Sequence, residues 1–162
     1  MAVLATHAND ALAVLESPTS GESGLLGAIP YSRNPAVLHS QPGLLPRARR
    51  ARSSWNYLMP SCRATSDAVV VTYDMGRLQS LPTTVPQLVS LNARGRIDPD
   101  RVTATMSYMH PVFTPQSVAA SRLLSTLNDG TIAYAGAHHG WGFHEDGCRA
   151  GAQAAESLGV PW

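Results

Sequence analysis

The stretch from Thr131 to Gly159 constrains the fold more than any other part of the chain. Thr131-Ile-Ala-Tyr-Ala135 has the length and apolar character of a buried strand. It runs straight into Gly136-Ala-His-His-Gly140-Trp-Gly142-Phe-His-Glu-Asp-Gly147, a loop with four glycines. An alanine-rich helix is expected over Gly147–Leu158, stopped by Gly159 and Pro161. Ala150, Gly151, Ala154 and Ala155 give that helix a small face, able to lie close against a strand.

Glycine lets a backbone turn sharply and approach a ligand closely. A helix starting near Asp146 would aim unpaired N–H groups and the positive end of its dipole at that ligand. An anionic or electron-rich group, such as a phosphate or a flavin ring edge, suits such a place. The spacing is neither Gly-x-Gly-x-x-Gly nor a phosphate loop ending in Lys-Ser/Thr. An ordinary turn with Asp146 as N-cap accounts for the same residues, so the loop alone leaves both readings open.

The rest of the chain divides by pattern. Ala2–Thr6 reads as a short buried strand, followed by a helical pattern on Ala11, Leu12, Val14 and Leu15. Independent domains seldom open on a buried strand without a leader. Ser20 is a plausible cap for a second helix that buries Leu25, Leu26 and Ile29. From Tyr31 onward, strand-length segments lie at Ala36–Ser40, Ser53–Leu58, Ala68–Tyr73, Gln87–Leu91 and Thr103–Met109, separated by Pro, Gly, Ser and Asn. With no long helix between them they predict an antiparallel sheet; Arg77–Leu81 is at most one helical turn. Thr114 caps an expected helix over Pro115–Leu127, with Val118, Leu123, Leu124 and Leu127 as its apolar positions. The fold class is therefore α/β (α+β). Residues 1–30 and 113–162 form an α/β layer, and residues 31–112 an antiparallel insertion.

Composition excludes some functions. A formal charge of +1 on 162 residues argues against a general nucleic-acid binder. All twelve basic residues are Arg, as in a GC-rich coding bias. No apolar run approaches the roughly 20 residues of a membrane span. His7, Asn9 and Asp10 interrupt the N-terminal apolar stretch, so it is not a signal peptide. Cys62 and Cys148 are far apart and form no Cys-x-x-Cys pair, which is expected of a reduced, cytoplasmic setting.

The run from Ala135 to Gly151, Ala-Gly-Ala-His-His-Gly-Trp-Gly-Phe-His-Glu-Asp-Gly-Cys-Arg-Ala-Gly, resembles the C-terminal flavin motif of bacterial FAD-dependent amine-oxidase-like oxidoreductases. Val3-Leu-Ala-Thr-His-Ala, Arg33-Asn-Pro-Ala-Val-Leu-His, Leu45-Pro-Arg-Ala-Arg-Arg-Ala with Ser54-Trp-Asn-Tyr, Val71-Thr-Tyr-Asp-Met-Gly-Arg-Leu-Gln and His110-Pro-Val-Phe resemble the same family, in its order and over nearly the whole chain.

The resemblance implies a Rossmann unit whose Gly-x-Gly-x-x-Gly and acidic residue hold the ADP part of FAD, an antiparallel domain covering the flavin ring, and a C-terminal strand and helix that touch the isoalloxazine and ribityl groups. No Gly-x-Gly-x-x-Gly occurs here. By resemblance the chain is a C-terminal portion lacking the ADP-binding half, and that half or a separate Rossmann-bearing chain becomes the expected partner beside a small-molecule substrate. The isolated chain is then expected to bind FAD weakly or not at all and to be inactive. Cofactor contacts implied by the resemblance are Thr6, His7, Gly136, Ala137, Gly140, Gly142, Phe143, His144, Glu145, Asp146 and Gly147. The family usually has aromatic residues where His138 and His139 stand, and there this sequence departs from it.

Other clusters carry rival readings. His138, His139, His144, Glu145 and Asp146 are the densest set of metal-ligand types and admit a small metal-dependent hydrolase. No His-Glu-x-x-His or Cys partner supports it, and no metal is expected. A non-catalytic fragment or subunit is a further alternative. Trp55, Tyr57 and Tyr73 on the sheet would wall a substrate pocket, although packing is the commoner fate of aromatics. Arg47, Arg49, Arg50 and Arg52 read best as a solvated, charged strand edge, and less well as an anion surface. His39 and His110 read as structural, and Cys148 as a small packing residue. No catalytic base is assigned, because a flavin supplies the hard chemistry itself.

Overall fold

A computed structural model describes residues 1–59, 69–93 and 95–161. The element order is β1 (Ala2–Leu4), α1 (Ala8–Val14), α2 (Ser20–Gly27), β2 (Tyr31–His39), β3 (Trp55–Leu58), β4 (Val70–Asp74), α3 (Met75–Leu78), β5 (Leu88–Leu91), β6 (Val102–Pro111), α4 (Pro115–Ser121), β7 (Ile132–Tyr134) and α5 (His144–Ser157). The fold is mixed α+β, with a five-stranded antiparallel sheet and a small parallel one. The chain forms two compact units, residues 1–32 with 110–162, and residues 33–109.

The first unit holds the parallel pair, with Ala2, Val3 and Leu4 in register with Ile132, Ala133 and Tyr134. Its core is Ala8, Ala11, Leu26, Ile29, Leu124 and Tyr134. A second cluster joins β7 to α5, Ala133 and Ala135 packing against Ala150 and Ala154. Spacing of four along α5 puts both alanines on one face, and their small side chains permit close strand–helix contact. The Tyr134 hydroxyl, buried with its ring, donates to the Glu22 carboxylate. That bond holds the Glu22 carboxyl below its ordinary value, and burial followed by the nearby carboxylate pushes the Tyr134 phenol up.

Several expected boundaries move, each for a local reason. α2 is capped by Thr19, not Ser20: the Glu22 N–H donates to Thr19 Oγ1 at 3.2 Å while Glu22 Oε2 accepts from the Thr19 N–H at 2.7 Å. The helix expected over 115–127 splits into α4 and a 3₁₀ turn at Leu124–Leu127. There Ser121 Oγ donates to the Val118 carbonyl and Thr126 Oγ1 to that of Leu123, and such side-chain bonds compete with helix continuity. α5 begins at His144, three residues before the expected start. It ends at Gly159, whose φ of +78° is the left-handed stop glycine favours.

The second unit carries the sheet in the order β3-β4-β5-β2-β6. β2 and β6 run longer than expected, and part of the expected 68–73 strand lies outside the described residues. The arginine segment is not a strand edge. It is an exposed 3₁₀ turn at Arg49–Ala51, with Arg52 Nε donating to the Pro46 carbonyl at 2.9 Å. One sheet face packs with Leu44, Val70 and Ala93. Four polar residues beside them, His39, Ser90, Thr72 and Asn56, are all buried. Gln41 N–H donates to His39 Nδ1 at 3.1 Å, which leaves the proton on Nε2, 2.8 Å from Ser90 Oγ. Ser90 Oγ lies 2.7 Å from Thr72 Oγ1, and Asn56 Nδ2 donates to the Thr72 carbonyl at 3.3 Å. Burial lowers the His39 pKa, so the chain is neutral and bonded throughout.

Candidate functional site

Because β1 and β7 are parallel, their carboxyl ends emerge on the same side, where open α/β sheets place ligands. β1 ends at Leu4 and hands over through Ala5, Thr6 and His7 to α1; β7 hands over through Ala135 to Gly136. Between these two exits lies a cavity of about 480 Å³, lined by Thr6, His7, Gly136, Ala137, His138 and Gly142, together with Asp10 and Tyr31.

The walls are ordered by local contacts. The His7 ring lies 4.8 Å from that of Tyr31, and its Nδ1 is 3.7 Å from Asp10 Oδ2. The Tyr31 hydroxyl accepts from the Ala8 N–H at 2.9 Å, fixing the start of α1. Burial pushes the Tyr31 phenol above its ordinary value. His138 is buried, and burial, aided by the charges of His139 and His7, pulls its pKa down to about 4. It is a neutral imidazole at pH 7.

The glycine loop is held by its own groups. A Cβ on Gly136 (φ +152°) would stand 2.5 Å from His138 Cε1, so His138 folds back over the glycine. A Cβ on Gly140 would overlap the Asp146 carboxylate. Asp146 Oδ2 accepts from the Trp141 and Phe143 N–H groups at 2.9 and 3.1 Å, and Arg149 Nη2 donates to Oδ1. These bonds, that of Phe143 foremost, keep the Asp146 carboxyl below its ordinary value. Asp146 therefore is not the N-cap residue; it sits in the first turn of α5 and reaches back to the N–H of Phe143, the N-cap, and to that of Trp141, tying the loop down. The N–H groups of His139, Gly140 and Gly142 also donate within the loop, to Gly136, Ala137 and Ala137 carbonyls. With its donors at 139–143 committed internally, the loop is not a nest for a phosphate.

The expected site residues separate into groups. Thr6, His7, Gly136, Ala137 and Gly142 share the cavity. Gly140 and Asp146 line a second one, with His139. Gly147 lines neither cavity, and a Cβ there would stand at ordinary contact distance, 3.7 Å, from the Ala137 backbone. Phe143, His144 and Glu145 are exposed and line neither cavity. His138 and His139, 5.0 Å apart between ring centroids, face different cavities. Among the described residues no three His, Cys, Asp or Glu side chains come together to hold a metal ion. Cys148 is exposed and does not pack as expected; Cys62 lies outside the described residues.

In the second unit Trp55 and Tyr73 are register partners whose rings stack at 6.5 Å. Tyr57, two residues along β3, shares their face. Trp55 and Tyr57 are more than half exposed there, at 64% and 55%. Asp10 and Tyr31 line the cavity without having been singled out by sequence. Asp10 had one signal, its i,i+3 spacing from His7; Tyr31 had none.

A scan of protein-family models and a search of curated proteins both find no match. No described helix is long and apolar enough to cross a membrane.

Proposed function

We propose that the first unit is the flavin-facing part of an FAD-dependent oxidoreductase of the amine-oxidase type, acting in the cytoplasm on a small molecule. One observation carries the reading. Thr6–His7 and Gly136–His138 meet around one cavity at the carboxyl ends of a parallel strand pair.

The residues fit the group. A volume of about 480 Å³ is within the roughly 300–1,000 Å³ of small-molecule pockets. Glycines at 136 and 142 bring bare backbone to the wall, and the imidazole beside them is uncharged. A loop whose donors are spent internally suits the flavin's ring portion better than its pyrophosphate. Thr6, His7, Gly136, Ala137 and Gly142 would hold that portion. The flavin, when bound, would accept a hydride from a C–H carbon as its C–N or C–C bond becomes a double bond, the neighbouring atom losing a proton. His138 and Tyr31 keep the wall neutral and partly apolar. Trp55, Tyr57 and Tyr73 are the aromatic wall proposed for the substrate. The ADP-binding Gly-x-Gly-x-x-Gly is supplied from outside these residues.

Flavin fluorescence titration tests this. The purified chain is expected to take up FAD weakly, and a polypeptide bearing the Rossmann unit is expected to restore a stoichiometric yellow complex. A stoichiometric flavin spectrum from the chain alone overturns the half-site. Failure to bind flavin with the Rossmann polypeptide present overturns the flavin reading.

A further inference from the structure

A second cavity of the first unit, about 220 Å³, is lined by α4, the glycine loop and α5 and shares no residue with the first. We propose that it binds a small organic carboxylate, held by Arg122 and Arg149 with its apolar body against Trp141 and Val118.

Two guanidinium groups face this space. Arg122 closes α4 and, among the described residues, its side chain makes no hydrogen bond or ion pair. Arg149 already holds a carboxylate, that of Asp146, and its side chain is about half exposed, at 53%. Guanidinium has five N–H donors in a planar fork, so one bond to Asp146 leaves donors for a second carboxylate. The local charge favours an anion. His139 is uncharged, because burial pulls its pKa down to about 4, so two arginines stand against Asp146 alone.

The other walls choose among anions. Val118 and the exposed Trp141 indole are apolar and offer nothing to bare phosphate. A phosphate dianion would also stand beside the Asp146 carboxylate, and that repulsion is smaller for a monoanion. The volume is below that of drug-sized pockets, which limits the ligand to a few carbons or one ring. The imidazole Nε2 of His139 is buried without a hydrogen-bond partner, so an anion nearby would favour its protonation.

Calorimetric titration of the full chain with benzoate, acetate and inorganic phosphate, at constant ionic strength, decides the matter. Benzoate is expected to bind saturably and more tightly than either of the others. Arg122→Gln is expected to weaken benzoate at least about tenfold, the worth of one charge-assisted hydrogen bond, with thermal stability unchanged because the native side chain has no partner to lose. Arg122→Lys, keeping the charge without the fork, should fall between. By proton NMR, benzoate should raise the pKa of His139. Absence of saturable benzoate binding, phosphate binding as tightly as benzoate, or indifference to Arg122→Gln each overturns the site. None of these outcomes bears on flavin binding at the first cavity.

Discussion

Buried histidine is treated oppositely in the two units. In the sheet, His39 has both ring nitrogens bonded, to Ser90 and to the Gln41 N–H, inside a row that continues to Thr72 and Asn56. In the glycine loop, His138 and His139 are held uncharged by burial, and His139 Nε2 has no partner. A satisfied polar row is a structural element: it fixes strand register and is costly to break. Partner-poor polar groups beside cavities contribute little to stability and are free to serve a ligand. The contrast is the one expected if the loop serves the proposed ligand and the sheet's interior is scaffold.

Acid separates the two most strongly. Both loop histidines have folded values near 4 against 6.5 for the free side chain, so the folded loop binds fewer protons than the unfolded chain between those values. Their contribution to stability is present above about pH 6.5 and is lost as pH falls toward 4, with the opening equilibrium rising about tenfold per pH unit for each histidine. Hydrogen-exchange protection factors, corrected for the intrinsic exchange rate, should therefore fall more steeply with acid over residues 136–147 than in β4 and β5, where His39 alone contributes. Equal slopes would remove the distinction.

Substitution gives the next contrast. His39→Ala takes one of the two partners of Ser90 Oγ, leaves the Gln41 N–H unpaired and opens a cavity, an expected loss of about 3 kcal/mol in urea unfolding. His139→Ala removes an unpartnered nitrogen and should cost less than about 1 kcal/mol. The reverse order would mean that the loop, not the sheet, is the wired element. Between these two lies Gly136→Ala, expected to cost about 2 kcal/mol from a positive φ and the overlap with His138. Adding His138→Ala should recover part of that loss, and strict additivity would show that the imidazole does not rest on the glycine.

The sequence displayed the strands and helices where apolar spacing was regular: β7, the small face of α5 and the antiparallel run were all readable. It hid what depends on bonds across the chain. Thr19 and Ser20 are both capping types, and only Glu22 three residues on decides between them. Asp146 looks like a cap because carboxylates favour helix starts; that it ties down Trp141 and Phe143 is a property of the folded loop. Neither the bonding of His39 nor the solitude of Arg122 has a local pattern. The neighbours His138 and His139 read as one cluster, yet the 3₁₀ turn at Ala137–His139 sends them to different cavities.

The parallel pair that bears the candidate site joins Ala2 to Ile132, with residues 33–109 forming a separate unit between. During synthesis at about 5–20 residues per second, the intervening unit is complete before β7 has emerged. β1 must wait through that interval with Val3 and Leu4 unpaired. The cavity between the two strand ends thus assembles last, and any ligand that bridges Thr6 and Gly136 would act at the final step of folding as well as in the finished protein.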